Sequence, residues 1–316
     1  MTDGLRIIFM GTPDFAVDTL KTLVEHKYNV VGVITAPDKP AGRGRKLNES
    51  AVKKYAQSQN LNILQPTNLK AEEFIEELKA LEADLQIIVA FRMLPEVVWR
   101  MPKQGTFNLH ASLLPQYRGA APIHWAVING ETKTGVTTFF IDDKIDTGAI
   151  ILQKEIDITP NETVGTLHDK LMTLGSALVI ETVKHIESGN VTTSIQPQNT
   201  ELKTAYKLHK ENTKIDWTQP LEAIYNKIRG LNPFPSAWCH LENNNETLSV
   251  KIFGIEKQIE AHHHETGKII ADKNELKISV QNGYIVVKEI QLPGKRKMDV
   301  KSLLNGFNFS EDAKML

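Results

Sequence analysis

A single cysteine, Cys239, stands in 316 residues. No internal disulfide framework is therefore available, and a reducing compartment is expected. The thiol reads as a half-buried small side chain rather than a nucleophile. No run of eighteen apolar residues occurs, so no membrane-spanning helix is expected. The first residues, MTDGLRIIFMG, lack the basic start of a secretory signal, which points to a cytoplasmic protein. There is no excess of charge either: 37 Lys and Arg against 38 Asp and Glu leave a net of −1. That balance argues against a bulk electrostatic nucleic-acid binder. Residues 206–316 carry 16 basic against 14 acidic side chains, and the preceding residues 21 against 24. The asymmetry is too small to decide anything, so any nucleic-acid contact must come from local patches. Also missing is Gly-x-Gly-x-x-Gly: the first loop reads Gly11-Thr12-Pro13-Asp14-Phe15, which lacks the phosphate turn of a dinucleotide site.

What is present fits a globular protein of two domains, with 41% hydrophobic and 24% charged residues. Apolar runs at 5–10, 29–35 and 84–91 alternate with helical patterns at 14–25, 50–58 and 71–81. This rhythm reads as an α/β, Rossmann-like, mostly parallel sheet. Residues 36–49 (APDKPAGRGRKLNE) interrupt it. Two prolines and two glycines leave this stretch without a stable element, while Lys39, Arg43, Arg45 and Lys46 concentrate four positive charges in it. A loop of that length in a compact domain is more often functional than not.

Residues 106–148 organise the rest. Alternation in 106–110 (TFNLH) puts Phe107 and Leu109 on one face of a strand and Asn108 and His110 on the other. A Pro- and Gly-punctuated loop follows, then a helical run over 120–129, a strand over 135–141 and an acidic turn with Asp142, Asp143 and Asp146. Asn, His and Asp together suit acyl transfer without a covalent nucleophile. The amide can donate to a developing oxyanion, the imidazole can donate or take a proton, and a carboxylate can orient the imidazole. Asn-x-His at a strand end is by itself also compatible with a purely structural role. The three aspartates do not have the spacing of a Ca²⁺ loop, and no metal is expected. Arg118 could hold a phosphate or carboxylate or pair with a neighbouring acid.

His110-Ala111-Ser112-Leu113-Leu114-Pro115, then Tyr117-Arg118-Gly119, Ala121-Pro122-Ile123 and Asp146-Thr147-Gly148, resemble the signature of the 10-formyltetrahydrofolate-dependent formyltransferases. Over its whole length the chain resembles their methionyl-tRNA formyltransferase branch. The resemblance implies Asn108, His110 and Asp146 as catalytic residues and 10-formyltetrahydrofolate as co-substrate. It implies Ser112, Leu113, Leu114, Pro115 and Phe91 along the folate pocket. Arg92-Met93-Leu94-Pro95 departs from the family's commoner, Gly-containing turn by being shorter. Methionyl initiator tRNA is the implied partner, with the 36–49 loop and above all Arg43 on the acceptor stem. Arginine suits this because its planar fork grips phosphates or base edges.

The expected domains are 1–189, a catalytic Rossmann-like domain, 190–206, a linker rich in Thr, Gln and Asn, and 207–316. Alternating runs at 248–253, 267–271, 275–280 and 284–291 read as a small antiparallel barrel or sandwich. The resemblance makes it an OB-like, tRNA-binding domain, supported by Ile215-Asp216-Trp217 and the Asn232-Pro233-Phe234-Pro235 turn. Further RNA-contact candidates are Lys203, Lys207, Lys210, Lys295, Arg296 and Lys297. His262-His263-His264 read as loop residues. A monomer is the default. The alternatives are a formyltransferase for sugars or small amines, a formyl-folate hydrolase, and a non-catalytic tRNA-binding protein. The basic loop and second domain discriminate against the first two, and the intact Asn108, His110 and Asp146 set against the third.

Overall fold

The structure is a computed structural model that describes residues 4–41, 46–197 and 201–316, with the backbone alone at 41 and 46. The chain divides into two compact units. The first takes in 1–119, 134–156 and 168–204, and the second 120–133, 157–167 and 205–316.

The first unit is built on a seven-stranded sheet. Its strands are β1 (Arg6–Gly11), β2 (Asn29–Ile34), β3 (Ile63–Leu64), β4 (Leu85–Val89), β5 (Thr106–His110), β6 (Lys133–Phe140) and β7 (Ile150–Asp157), in the order β7-β6-β5-β4-β1-β2-β3. β1 runs parallel to β2 and β4, β2 to β3, and β4 to β5, whereas β6 runs antiparallel to β5. Helices cover the parallel strands, which is why β1 is apolar without alternation over 7–10 and β4 is buried at every residue, Gln86 included. Ile7, Ile8, Phe9 and Met10 are wholly buried. The carboxyl ends of β1, β4 and β5 emerge on one side, where open α/β sheets bind ligands.

Helices Asp14–Glu25, Ala51–Ser58 and Glu72–Ala80 lie where the periodicity puts them. The helix Val164–Glu187 buries Leu171 and Leu178. Its Gly175 has no side chain because Leu109 is there: a Cβ would stand 2.8 Å from Leu109 Cδ2. The helix thus seats directly on the strand that carries Asn108 and His110.

Two local expectations are corrected. The strand expected over 84–91 stops at Val89, because Ala90 takes φ +47° and turns Phe91 off the sheet. Residues 36–49, read as lacking any element, contain a short antiparallel ladder in which Lys39 faces Asn48, Pro40 faces Leu47 and Ala41 faces Lys46. Its base is clamped. Lys53 Nζ bridges Asp38 Oδ2 and Glu49 Oε1 (2.9 Å to the latter), while Gln65 Nε2 donates to Asp38 Oδ1 and Ala36 O, both at 2.8 Å. Bonding to Lys53, then to Gln65, holds the Asp38 carboxyl below its usual range.

The second unit contains two antiparallel sheets. Five strands run in the order Met298–Asp299, Glu289–Gln291, Glu246–Ile252, Ala237–Asn243, Lys314–Met315, and four in the order Ile255–Ile259, Gly283–Val287, Leu276–Val280, Ile269–Ala271. They enclose a core with Trp217, Ile224, Ile228, Leu241, Val250, Ile278 and Ile285, which the helix Leu221–Arg229 covers. The single strand expected over 284–291 is two, split at Lys288. Lys288 and Glu289 both donate their amides to Gly254 O, and the chain there passes from the four-stranded sheet to the five-stranded one. Cys239, expected half-buried, is wholly buried, and desolvation pushes its thiol up to about 12. Among the described residues, no helix is long and apolar enough to cross a membrane.

Candidate active site

Asn108 and His110 sit on β5 between two neighbours. Asn108 faces Ile88 of β4 and Phe139 of β6, and His110 faces Thr137. Phe107 and Leu109 point into the core, wholly or almost wholly buried. The alternation therefore leaves Asn108, half-buried, and His110, 6% exposed, on the opposite face.

The imidazole is fixed by the loop that follows. His110 Nε2 lies 2.8 Å from Tyr117 O. A carbonyl can only accept, so Nε2 carries the proton and Nδ1 is the nitrogen left for other partners. Nδ1 faces Asp146 Oδ2 at 3.7 Å. That separation exceeds a direct hydrogen bond and has the length of a loose ion pair. Asp146 Oδ2 also accepts the Gly119 amide at 2.9 Å. Three left-handed residues shape this corner: Tyr117 at φ +60°, Gly119 at +122° and Asp146 at +54°. Gly148 is obligatory, since a Cβ would lie 1.7 Å from Phe140 O. The structure thus brings Asn108, His110 and Asp146 to one strand end.

The 112–115 segment divides. Ser112, wholly buried, spends its hydroxyl on Gln116 O at 2.7 Å. Leu114, also buried, donates its amide to Thr137 Oγ1 at 3.2 Å and gives its carbonyl to Gln153 Nε2 at 2.9 Å. Both residues are thereby committed within the fold. Leu113 and Pro115 remain half-buried. Phe91 and Ile141 pack partly exposed on the core under β1 and β4, and Ile141 also packs on Leu114 and Phe139. Ile141 donates its amide to Thr106 O, at the start of β5, and Leu113 packs where a Gly135 side chain would stand. The Arg92 guanidinium donates to Thr67 O at 3.0 Å and to Pro66 O. Arg118, read as an anion holder or an acid's partner, instead donates to the Gln196 amide oxygen from Nε (3.0 Å) and Nη2 (2.6 Å). Asp142 is a turn residue that accepts from Lys144 N and Thr147 Oγ1. No group of three or more His, Cys, Asp and Glu is placed to hold a metal ion among the described residues.

Comparison with known proteins decides the family. Residues 5–183 match the formyl transferase family, and residues 207–308 match the formyl transferase C-terminal domain. A methionyl-tRNA formyltransferase of Flavobacterium johnsoniae is 64% identical over 99% of both chains. The chain belongs to the methionyl-tRNA formyltransferase family. It is a formyltransferase, and the family brings a folate co-substrate with it. A member from Bacteroides fragilis is 55% identical over 99% of this chain and 98% of its own. Among solved structures, the sugar 3N-formyl transferase WlaRD shares the fold with a TM-score of 0.64 at 20% identity, covering 92% of this chain and 99% of that one. HypX from Aquifex aeolicus, in complex with tetrahydrofolic acid, gives 0.65 at 16%, covering 96% of this chain and 47% of that one.

Of the residues that the sequence marks for RNA, Arg43 and Arg45 lie outside the described residues, as does the side chain of Lys46. Lys39, Lys203, Lys207, Lys210, Lys295, Arg296 and Lys297 are all exposed. Lys297 pairs with Glu289 at 3.0 Å. Lys207 and Lys210 border a cavity of about 530 Å³ within the second unit, together with Lys251, Phe234 and Trp238. Phe234 is 78% exposed, and Lys210 Nζ stands 5.1 Å from the Trp238 ring centroid. Phe234 belongs to the 232–235 turn that the sequence singles out, whereas Lys251 and Trp238 go unmarked as RNA contacts because an isolated Lys or aromatic residue on a strand carries no local mark of exposure. Lys295 and Arg296 are not part of this cavity's wall.

Proposed function

We propose that Asn108, His110 and Asp146 transfer the formyl group of 10-formyltetrahydrofolate to the α-amino group of methionyl initiator tRNA, giving N-formylmethionyl-tRNA. The observation that carries this reading is the pinned imidazole: Nε2 donates its hydrogen bond to Tyr117 O, which leaves Nδ1 beside Asp146. An α-amino group has a pKa near ~7.7–8.0, so a useful fraction is neutral and nucleophilic at neutral pH. Its nitrogen attacks the formyl carbon. Asn108 Nδ2 and a protonated His110 Nδ1 donate to the oxygen that gains charge. Asp146 balances the imidazolium and takes the amine proton through water. That proton then passes to the departing folate nitrogen as its bond to the formyl carbon breaks. The folate lies along Ser112, Leu113, Leu114 and Pro115 and against Phe91, where an apolar turn can meet a flat, conjugated ring.

The acceptor is selected by cations, Arg43, Lys39, Arg45 and Lys46 of the 36–49 stretch and the exposed Lys207, Lys295 and Arg296 of the second unit. The protein works in the cytoplasm as a monomer and needs no metal. A transfer assay with 10-formyltetrahydrofolate and two acceptors, methionine-charged initiator and elongator tRNA, tests the whole reading. Formylation of the initiator alone is expected. Folate consumption without tRNA formylation would discard the acceptor and leave sugars or water in its place. Absence of folate consumption would discard the chemistry.

A further inference from the structure

Gln196 lies between the two stretches that match the family, 5–183 and 207–308. Composition alone reads its neighbourhood as a connection, yet its side chain is 2% exposed. Its amide is fully used. Nε2 donates to Asp146 O at 2.9 Å and to Gly148 O at 2.8 Å, while Oε1 accepts Arg118 Nε and Nη2 at 3.0 and 2.6 Å. A primary amide has two N–H donors and two acceptor lone pairs, so none is left over. Arg118 can only donate, and it therefore fixes which end of the amide faces the turn. Two residues earlier, Ser194 exchanges backbone hydrogen bonds with Ile150 at 2.8 and 2.9 Å. Further along, Lys203 O accepts the Tyr117 amide at 2.6 Å, and Lys203 N donates to Gln116 Oε1 at 2.8 Å. Ser194, Gln196 and Lys203 are thus tied to both loops that carry the site.

One of the two carbonyls that Gln196 holds belongs to the left-handed residue Asp146 itself, and the other lies two residues on. Asp146 stands at φ +54°, a left-handed backbone that a non-glycine residue keeps only where its surroundings hold it. Without the Gln196 donors, the buried Gly148 carbonyl and the half-buried Asp146 carbonyl would lose these partners. The turn would then relax, taking the carboxylate away from His110 Nδ1.

We propose that Gln196 is a positioning residue for formyl transfer: it locks the Asp146–Gly148 turn through main-chain carbonyls, with Arg118 setting its orientation. This rests on the reading of Asp146 as catalytic. The chemistry separates position from bulk. Gln196→Glu keeps the size and strengthens the contact with Arg118, but it aims an unprotonated oxygen at two carbonyl oxygens. A space-filling role tolerates that change, and a donor role does not.

The experiment is a double-mutant cycle on single-turnover formyl transfer at saturating 10-formyltetrahydrofolate and methionyl initiator tRNA. Gln196→Glu and Gln196→Ala are made alone and with Asp146→Asn, and thermal midpoints confirm folding. A displacement on the order of 1 Å at a reacting group costs up to about 100-fold. Each Gln196 variant is therefore expected to slow the wild-type background by about 10- to 100-fold, with KM for both substrates nearly unchanged. In the Asp146→Asn background the same changes should cost less than about twofold, because the effect runs through that carboxylate. Equal losses in both backgrounds, or full activity of Gln196→Glu, would overturn the proposal. Near-normal activity of Asp146→Asn alone would instead overturn the catalytic reading of Asp146. If Gln196→Ala does not fold, Gln196→Glu decides the matter by itself.

Discussion

His110, Asp146 and Gln196 are buried or nearly so, and each is bonded to main-chain groups contributed by other segments. Lys39, Lys207, Lys295 and Arg296 stand exposed on turns and short strands. The contrast follows from what each set must do. A donor to a developing oxyanion works only at hydrogen-bond distance and in a fixed direction, so it is worth most where solvent and rotation are excluded. A cation that meets a phosphate backbone acts through released counterions and tolerates a mobile side chain. The polar cluster should therefore control the rate of the bound complex, and the exposed cations should control how readily that complex forms.

The largest effect is expected at the cluster. Asn108→Ala and His110→Ala should each lower turnover by about 10²–10³ while the thermal midpoint stays near wild type. Near-normal turnover in either variant would remove the catalytic assignment. Next comes Gly148→Ala, which forces a Cβ to within 1.7 Å of Phe140 O. Overpacking of this kind costs about 3 kcal/mol, so stability and turnover should fall together in denaturant and rate measurements. Retention of both would show that the turn yields more easily than its contacts imply.

Smaller effects belong to the surface. Arg43→Ala or Lys207→Ala should weaken tRNA binding and lower the slope of log affinity against log salt by about 1 each, as read by a salt titration. An unchanged slope would mean that the residue meets no phosphate. Lys53→Met should act in the same direction but less strongly. Lys53 ties up Asp38 and Glu49, and without it these acids become available to the loop's own cations. Cys239 sharpens the contrast from the buried side. Its thiol pKa is raised from 9.0 to about 12 by desolvation. The stability that this supplies is complete below about 9 and is lost as pH rises through about 12. An alkylating reagent at pH 8 should leave the native protein unlabelled and label it after unfolding. Rapid labelling of the native protein would contradict the burial.

Much of this arrangement is written locally. The pattern of 106–110 gives the strand, its two faces and the pairing of Asn108 with His110, because period-two alternation is a property of five adjacent residues. The family motif adds Asp146. What the local pattern does not reveal depends on distant partners. The ladder at Lys39–Ala41 and Lys46–Asn48 is held by Lys53 and Gln65, and nothing within its proline- and glycine-rich stretch announces them. The break at Lys288 is imposed by Gly254, in the bend between two other strands. Gln196 reads as a polar residue in a connection, and its four hydrogen bonds reach 48 to 78 residues back along the chain. Cys239 gives no local sign of full burial because its strand also carries polar residues.

The most direct test compares Asn108→Ala and Lys207→Ala in single-turnover formyl transfer as methionyl initiator tRNA is raised to saturation. Saturation should restore Lys207→Ala to the wild-type rate and leave Asn108→Ala slowed by about 10² or more. A Lys207→Ala rate that stays low at saturation, or an Asn108→Ala rate that recovers, would contradict the division between buried chemistry and exposed recognition.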